Sequence, residues 1–400
     1  MRDLGFRTLD LRRGGKAEDR ARWEALCSRA AGLAGDADAI ARAVIADVRA
    51  RGDAAVCELT ARHEGRAITP AEFEVAPAAR AAACARVPAD LRAALETAAR
   101  AIRAFHEGQR GGDSGLRGED VSLVSRVRPL RRVAVYAPGG TAAYPSSVLM
   151  TAIPAKVAGV PEVILVTPRA ADVVLLAAEL AGVDRVLQLG GAQAIAALAL
   201  GTATIPRVDK IVGPGNAYVT AAKRQVFGLC AIDGIAGPSE IVVAADDSAD
   251  PELVAADLIA QAEHDVLACA IVITDAPALV PAVCAALERQ LADLPRAEIA
   301  GRALREHGAA VVVDDRDALV AAVDAYAPEH VELLLRDADA VAARIGNAGA
   351  IFVGPWTPEA AGDYTAGPSH VLPTAGAARF ASPLGVWDFV KYTSVLRLGP

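Results

Sequence analysis

Several features are scarce or absent in this chain, and each absence excludes a class of function. Lys and Arg number 41 against 49 Asp and Glu, which gives a formal net charge of -8. A nucleic-acid groove or a site for an anionic membrane surface would need clustered basic residues. No apolar run is long and uncharged enough to span a bilayer, and charges occupy the first seven residues, where a signal peptide needs its apolar stretch. We therefore expect a soluble cytoplasmic protein whose partners are small molecules.

Closely spaced cysteines are also absent. The six cysteines are widely scattered, no C-x-x-C occurs, and most of them lie in Ala- or Leu-rich runs. This pattern is typical of buried thiols in a reducing compartment. We assign no chemistry to these residues, which are Cys27, Cys57, Cys84, Cys230, Cys269 and Cys284.

The apolar pattern predicts helices first and an alternation of strands and helices afterwards. The chain has 400 residues, 53% of them hydrophobic, which is enough for two domains with their own cores. Residues 21–109 are rich in Ala, Arg and Leu at helical spacing. From Arg132 onwards, short apolar runs are each followed by Gly or Pro and a helix-like stretch. The predicted strands are 133–136, 163–166, 186–189, 210–212, 241–244, 270–274, 310–313 and 350–353.

This alternation predicts two α/β units, each with a parallel sheet covered on both faces. In the α/β unit nearer the C-terminus, helices are predicted over 251–264 and 280–294. We place the boundary between the units near Gly237-Pro238, because Gly and Pro interrupt regular structure there.

Three Gly-rich loops follow predicted strands of the α/β unit that precedes Gly237. They contain Tyr136 at 136–147, Gln193 at 190–193 and Asn216 at 213–216. Backbone N–H groups in such loops can bind an anion, and the carboxyl edge of a parallel sheet is where α/β folds bind ligands. The alternative is ordinary: strand-to-helix turns, with the two amides as capping residues. A complete dinucleotide fingerprint is missing, because Tyr218 stands where the third glycine would be.

Three side chains of the second half could bind a metal ion. Gln261 and His264 are three residues apart on the predicted helix 251–264 and so would share a face. Asp363 could supply an anionic ligand. The alternatives are a partly buried helix terminus and a loop aspartate that caps or turns. These three ligands alone leave a tetrahedral zinc site one short.

The pair Glu329-His330 could act as an acid and base. A neighbouring carboxylate keeps an imidazole basic, and His is the usual proton acceptor near neutral pH. The alternative is a solvated turn after Pro328. Ser239 is either a turn residue or a substrate contact, and His370, in a loop made rigid by proline, is either structural or functional.

Seven motifs, read in order, closely resemble those of histidinol dehydrogenase, and the match runs from the helical N-terminal part to about Ser394. They are YAPGGTAAYPSSVLM at 136–150, GGAQAIAA at 190–197, DKIVGPGN at 209–216, AGPSE at 236–240, QAEH at 261–264, APEH at 327–330 and GDYTAGPSHVLPT at 362–374. The order of seven motifs is far more specific than any one of them.

The resemblance implies a homodimeric enzyme with one zinc per subunit, which oxidises L-histidinol with two NAD molecules through L-histidinaldehyde to L-histidine. It also implies two incomplete Rossmann-like domains with parallel sheets, one inserted in the other, after a helical N-terminal segment. The expected boundaries are 1–27 for that segment, 28–133 with 240–383 for the first domain, 134–239 for the inserted domain, and 384–400 for the start of a C-terminal segment.

The resemblance also implies roles for single residues. His330 would take the hydroxyl proton, and Glu329 would activate water. Tyr136, Gln193 and Asn216 would contact NAD, and Gln261, His264 and Asp363 would hold zinc. The substrate contacts would be Ser239, Gln261, His264, His330, Asp363 and His370.

The family continues beyond the point that corresponds to Pro400. Its C-terminal segment carries a Glu that contacts substrate and a His that completes the zinc site of the partner subunit. The resemblance therefore places the fourth zinc ligand outside these 400 residues. Two alternatives remain open: a relative that oxidises another small amino or hydroxy alcohol, and a nucleotide-binding homologue with little or no activity.

Overall fold

The structure, a computed structural model, describes residues 5–29, 35–139 and 143–399, and it divides into two compact units. The first unit contains the described residues of Met1–Leu33 together with Ala236–Ala361 and Leu372–Pro383. The second unit contains the described residues of Ala34–Ile235, with Gly362–Val371 and Leu384–Pro400. Each unit is built on a parallel sheet with helices on both faces, so the predicted α/β class with Rossmann-like sheets is confirmed.

The helices follow one another in the described residues as α1 (Ala17–Cys27), α2 (Ala37–Arg51), α3 (Asp53–Glu64), α4 (Pro77–Arg86), α5 (Ala89–Glu107), α6 (Pro145–Val157), α7 (Asp172–Ala181), α8 (Gly191–Leu200), α9 (Ala217–Val226), α10 (Pro251–Ala262), α11 (Leu279–Ala292), α12 (Ala297–His307), α13 (Arg316–Tyr326), α14 (Ala338–Ala342) and α15 (Glu359–Tyr364). No helix among these residues is long and apolar enough to cross a membrane.

The strands are β1 (Arg7–Asp10), β2 (Ser114–Arg117), β3 (Val121–Pro129), β4 (Arg132–Tyr136), β5 (Glu162–Val166), β6 (Arg185–Leu187), β7 (Lys210–Val212), β8 (Ala231–Ile232), β9 (Glu240–Ala245), β10 (Cys269–Thr274), β11 (Ala309–Val312), β12 (His330–Leu334), β13 (Ala350–Val353) and β14 (Val390–Leu398). The eight strands predicted from the sequence are all present, with bounds that differ by two residues or fewer.

The first unit has a six-stranded parallel sheet in the order β1-β11-β10-β9-β12-β13. Strands β9 and β10 are buried along their whole length, as expected for a sheet covered on both faces. Helices α10, α11 and α12 pack their apolar residues on one face. On the other face, Trp23 of α1 and the apolar residues of α13 and α14 form a second core.

The second unit has a five-stranded parallel sheet in the order β6-β5-β4-β7-β8. Helices α4 to α7 cover one face, and α2, α3, α8 and α9 cover the other. The helices over Ala37–Glu107 pack within this unit. The apolar sides of these helices are buried against the neighbouring sheet and helices.

Two features were not anticipated from the sequence. The residues around Arg7–Asp10 form a strand, because the buried Leu9 adds to the core beside β11, so segment 1–27 is not helical throughout. The second unit also has an antiparallel sheet in the order β14-β3-β2, in which Val390 pairs with Pro129 and Leu398 with Val121. Its strands are largely exposed and rich in polar residues, so they lack the continuous apolar run of a buried strand.

Candidate active site

Four candidate residues lie where two parallel strands of the first unit begin. Glu240 opens β9 and His330 opens β12, and the register places His330 beside Ile241. Ser239 and Glu329 immediately precede these strands. We call Ser239, Glu240, Glu329 and His330 the amino edge, because they lie at the amino ends of the central strands.

The ring of His330 is held in one orientation by a backbone carbonyl. Its Nδ1 lies 2.9 Å from the carbonyl oxygen of Glu240. A carbonyl can only accept a hydrogen bond, so Nδ1 carries the proton and, in the neutral ring, Nε2 carries the lone pair. Nε2 lies 3.7 Å from Oε1 of Glu359. The arrangement therefore makes Nε2 the basic atom of a buried imidazole.

Glu329 is fixed by the same residue that orients the imidazole. Its Oε2 accepts a hydrogen bond of 2.9 Å from the backbone N–H of Glu240, and this oxygen lies 3.7 Å from Nδ1 of His330. The carboxylate is buried. The pair is therefore not a solvated turn, because both side chains are enclosed and oriented by β9.

Glu359 is a site residue that sequence reasoning missed. It is buried at the start of α15, a short helix inside the stretch 358–364 that drew attention only for Asp363. Glu359 and Asp363 are four residues apart and so share a face of this helix. Burial raises the pKa of Asp363 to about 6. The four-residue spacing of Glu359 and Asp363 is the sequence signal that could have identified Glu359.

Gln261 and His264 have different environments, and the expected shared helix face is wrong. Helix α10 ends at Ala262, so His264 lies beyond it in an exposed turn, linked to the helix by a hydrogen bond from its N–H to the Gln261 carbonyl (3.2 Å). The chain turns there because Oδ1 of Asp265 accepts a hydrogen bond from the N–H of Leu267 (2.9 Å).

Gln261 has the property expected of a ligand residue. Its side chain is 1% exposed, and Oε1 has no hydrogen-bond partner among the described residues. A buried amide oxygen without a donor is unfavourable, and a cation would satisfy it. It also lies in the last turn of α10, where the helix dipole is negative and favours positive charge. Gln261 therefore fits a metal ion.

Two further predicted substrate contacts lie in ordered turns. Ser239 is half-buried, and its carbonyl accepts a hydrogen bond of 3.0 Å from the N–H of Cys269, which fixes the entry to β9. In the second unit, Nδ1 of His370 donates to the backbone carbonyl of Asp363 over 3.1 Å. The His370 ring therefore has a structural contact.

The three Gly-rich loops of the second unit lie at the carboxyl edge of its sheet. Tyr136 ends β4, Gly190 follows β6, and Asn216 follows β7. The hydroxyl oxygen of Tyr136 accepts a hydrogen bond from the N–H of Gly191 (3.2 Å). Burial raises the pKa of Tyr136 to about 12, so the phenol keeps its proton near neutral pH. Residues 140–142 of the first loop lie outside the described residues.

Gln193 fits a nucleotide-binding role. It lies in the first turn of α8 and is 2% exposed, and Nε2 has no hydrogen-bond partner among the residues described. Free N–H groups at the start of a helix favour anions. The loop is also tightly packed, because a Cβ at Gly190 would lie 2.8 Å from Cγ of Pro168. A buried donor beside a helix start suits a bound nucleotide.

The side chain of Asn216 acts as a helix cap. Its Oδ1 accepts hydrogen bonds of 3.1 Å from the N–H groups of both Tyr218 and Val219 at the start of α9. This is the ordinary alternative considered from the sequence, and it leaves the exposed side-chain NH₂ group as a possible ligand contact. The preceding Gly213 has a φ of +113°, and a Cβ there would lie 2.2 Å from the carbonyl oxygen of Tyr136.

Comparison with known proteins places these residues in a family. The profile of the histidinol dehydrogenase family matches residues 28–400. Histidinol dehydrogenase of Rhizobium meliloti is 54% identical over 370 residues, covering 91% of this chain and 85% of that protein. The crystal structure of histidinol dehydrogenase from Elizabethkingia anophelis is 35% identical with a TM-score of 0.91, and the match covers 98% of this chain and 90% of that one.

Proposed function

Because the chain belongs to the histidinol dehydrogenase family, we propose that it oxidises L-histidinol twice, through L-histidinaldehyde, to L-histidine. NAD is the proposed oxidant, and a cytoplasmic homodimer with one zinc per subunit is the proposed form. The observation that carries this proposal is the buried His330, whose Nδ1–H is held by the Glu240 carbonyl so that Nε2 can act as a base.

When bound, NAD would accept the hydride of each oxidation, and zinc would hold the nitrogen atoms of the substrate. We assign NAD contacts to Tyr136, Gln193 and Asn216, and zinc ligation to Gln261, His264 and Asp363. Nε2 of Gln193 and Oε1 of Gln261 have no hydrogen-bond partner in the part of the chain that the structure describes, which supports these two assignments. Ser239 and His370 are assigned to the substrate.

In the first oxidation, Nε2 of His330 takes the proton of the substrate hydroxyl as hydride leaves the carbinol carbon. The resulting imidazolium keeps its Nδ1–H bond to the Glu240 carbonyl, so the ring does not need to rotate. The carboxylate of Glu359, 3.7 Å from Nε2, stabilises the new positive charge. His330 must lose this proton before the second oxidation.

Before the second oxidation, Glu329 takes a proton from water as the water oxygen attacks the aldehyde carbon, and the imidazolium of His330 gives its proton to the aldehyde oxygen, which yields the hydrate. Oε2 of Glu329 is held by the Glu240 N–H, which keeps the carboxylate in place for this step. His330 then takes a proton from the hydrate as the second hydride leaves, which yields the carboxylic acid. Two fixed bases on adjacent residues can thus serve both steps without rearrangement.

The test is the stoichiometry of NADH produced from L-histidinol with zinc present. We expect two NADH per histidinol consumed, loss of turnover on chelation, and recovery on adding zinc. His264→Asn should lower the zinc content, while His63→Asn, at an exposed position, should leave it unchanged. If the protein supplied with zinc and NAD gives no NADH from histidinol, the proposal is wrong.

A further inference from the structure

Glu240 is connected to both proposed bases through its main chain. Its N–H donates to Glu329, and its carbonyl accepts from His330, over 2.9 Å in each case. The position of the Glu240 main chain therefore sets the positions of both proposed bases. Its own side chain does not face the solvent, because it is 1% exposed.

Arg29 holds the carboxylate of Glu240 from the end of α1. Its Nε donates to Oε1 over 2.5 Å and its Nη2 donates to Oε2 over 2.6 Å, so the pair is bidentate. The backbone N–H of Ala375 donates to Oε1 as well, over 3.1 Å. A bidentate pair of this kind neutralises the charge of the Glu240 carboxylate and also fixes its orientation. A lysine could neutralise the charge but could not fix the orientation.

The guanidinium is itself fixed at two helix ends. Its Nη1 donates to the carbonyls of Leu26 (3.2 Å), in the last turn of α1, and Tyr326 (3.0 Å), at the end of α13. Its central carbon lies 3.6 Å from the centroid of the Tyr326 ring, and that ring stacks on Trp23. Arg29 therefore caps two helix C-termini while it binds the strand that leads to the bases.

We propose that Arg29 and Glu240 form a positioning pair, which holds the main chain of Glu240 so that His330 keeps its Nδ1–H tautomer and Glu329 stays aligned. The inference rests on the proposed function only for the identity of the two bases. Arg29 acts through Glu240 and touches neither base, so its effect is on geometry.

A purely structural pair would instead only join α1 and α13 to β9. Losing it would lower stability and leave the surviving folded molecules with normal catalysis. A positioning pair affects the folded molecules themselves: turnover falls, NAD affinity stays the same, and the tautomer of His330 changes. The tautomer can be measured without activity.

The test compares Arg29→Lys, Arg29→Ala and Arg316→Met in the full chain. Arg29→Lys keeps the charge and loses the bidentate pair. Arg316→Met removes another half-buried arginine of the first unit, which pairs with Asp246 at the far end of β9. For each folded variant, kcat, KM for histidinol and Kd for NAD are measured, and ¹⁵N chemical shifts of labelled histidine, assigned with His330→Gln, report the tautomer.

We expect the shifts of His330 in the unaltered chain to report Nδ1–H, and those of Arg29→Lys to report a mixture of tautomers. We also expect kcat to fall by about tenfold to a hundredfold in Arg29→Lys, with NAD affinity unchanged. Guanidinium at non-denaturing concentration should restore part of the kcat of Arg29→Ala. Arg316→Met should change neither kcat nor the tautomer.

An unchanged tautomer and kcat in Arg29→Lys would overturn the inference, as would an equal loss of kcat in Arg316→Met. A chain that does not oxidise histidinol at all would refute the proposed function instead. The shifts of His330 would still test the positioning pair, because they need only the folded protein.

Discussion

The two parallel sheets place their candidate residues at opposite ends. In the second unit, Tyr136, Gly190 and Asn216 lie at the carboxyl ends of their strands. In the first unit, Glu329 and His330 lie at the amino edge. Doubly wound sheets usually bind ligands at the carboxyl edge, so the second unit follows the rule and the first departs from it.

Helix ends give a physical reason for this difference. At a carboxyl edge the following helices begin, and their free N–H groups favour the phosphates of a nucleotide. At an amino edge the preceding helices end, and their carbonyls favour cations. α10 ends beside Gln261, and α13 ends at Tyr326, whose carbonyl receives Arg29. One architecture thus offers an anion site and a cation site, according to which edge is used.

At the carboxyl edge of the first sheet, the charged side chains form ion pairs with one another. Arg316, at the start of α13, lies 2.9 Å from Asp246, 3.4 Å from Asp275 and 3.2 Å from Asp337. Asp246 is buried, yet hydrogen bonds from Ser248, Arg336 and Arg316 lower its pKa to about 2. The positive charge that an anion would need is already paired there.

The largest effect should come from removing the base at the amino edge. Replacing His330 with Asn keeps a polar side chain and removes the proton acceptor, so kcat for histidinol oxidation should fall by about 10² to 10⁴. NAD affinity, measured by calorimetry, should be unchanged, since the proposed NAD contacts are in the other unit. His63→Asn, at an exposed position, is the control. An unchanged kcat would remove His330 from this role.

The next effect should come from the carboxyl edge of the second sheet. Gly213→Ala puts a methyl group 2.2 Å from the Tyr136 carbonyl at a φ of +113°, so the loop must shift. We expect the Kd for NAD to rise about tenfold, from strain of about 1–3 kcal/mol. Gly234→Ala, where nothing lies within 4 Å of the new Cβ, should bind NAD normally. Equal NAD affinities in both variants would mean that the carboxyl edge of the second sheet does not bind the nucleotide.

A third prediction concerns the interior of the first sheet, where Glu332 is buried in β12. Burial, and then the neighbouring Asp257, raise the pKa of Glu332 to about 9, so folding takes up a proton. The stabilisation is complete below the unfolded pKa of about 4.3 and is lost as pH rises towards 9. The charge-free Glu332→Gln should therefore gain stability relative to the parent between pH 5 and 9, by at least about 1 kcal/mol.

Urea unfolding at pH 5, 7 and 9 measures this difference. Glu306→Gln, at an exposed carboxylate, should follow the parent at every pH. A constant difference between Glu332→Gln and the parent would mean that Glu332 does not bind a proton on folding. The second sheet offers a contrast, because strands β4 and β5 have apolar interiors without such a group.

The smallest effect on catalysis should come from the carboxyl edge of the first sheet. Arg316→Met removes the three ion pairs of Arg316, but Asp246 keeps its bonds from Ser248 and Arg336. We expect a loss of about 1–2 kcal/mol in the free energy of unfolding, because the pairs are only partly buried. kcat should not change. A large loss of kcat in Arg316→Met would contradict the assignment of catalysis to the amino edge of the first sheet.

Much of the fold could be predicted, because a parallel strand that is buried on both faces has a continuous apolar run in its sequence. Strands β7 and β13 have the predicted bounds, 210–212 and 350–353. The antiparallel sheet could not be recognised in this way, because its strands are exposed and mix charged with apolar residues. Pairing between β3 and β14 also depends on contacts far apart in the sequence.

The candidate site was only partly predictable. The neighbours Glu329 and His330 can be read from the chain, but the tautomer of His330 depends on a carbonyl 90 residues away. α10 ends before His264, and a turn at Asp265 follows. This turn is a local signal, but the helical spacing of Gln261 and His264 favoured a helix that continues to residue 264. The pairing of Arg29 with Glu240 bridges 211 positions and has no local signal.

The pairing of β1 with β11 imposes an order of events during translation. Thr8 lies beside Ala310, so the strand Arg7–Asp10 leaves the ribosome about 15–60 s before its partner at ~5–20 residues per second. In that interval the edge of β1 lacks its partner strand, although Glu240, which binds Arg29, is synthesised before Ala310. The nascent protein must therefore keep β1 out of other sheets until β11 has been synthesised.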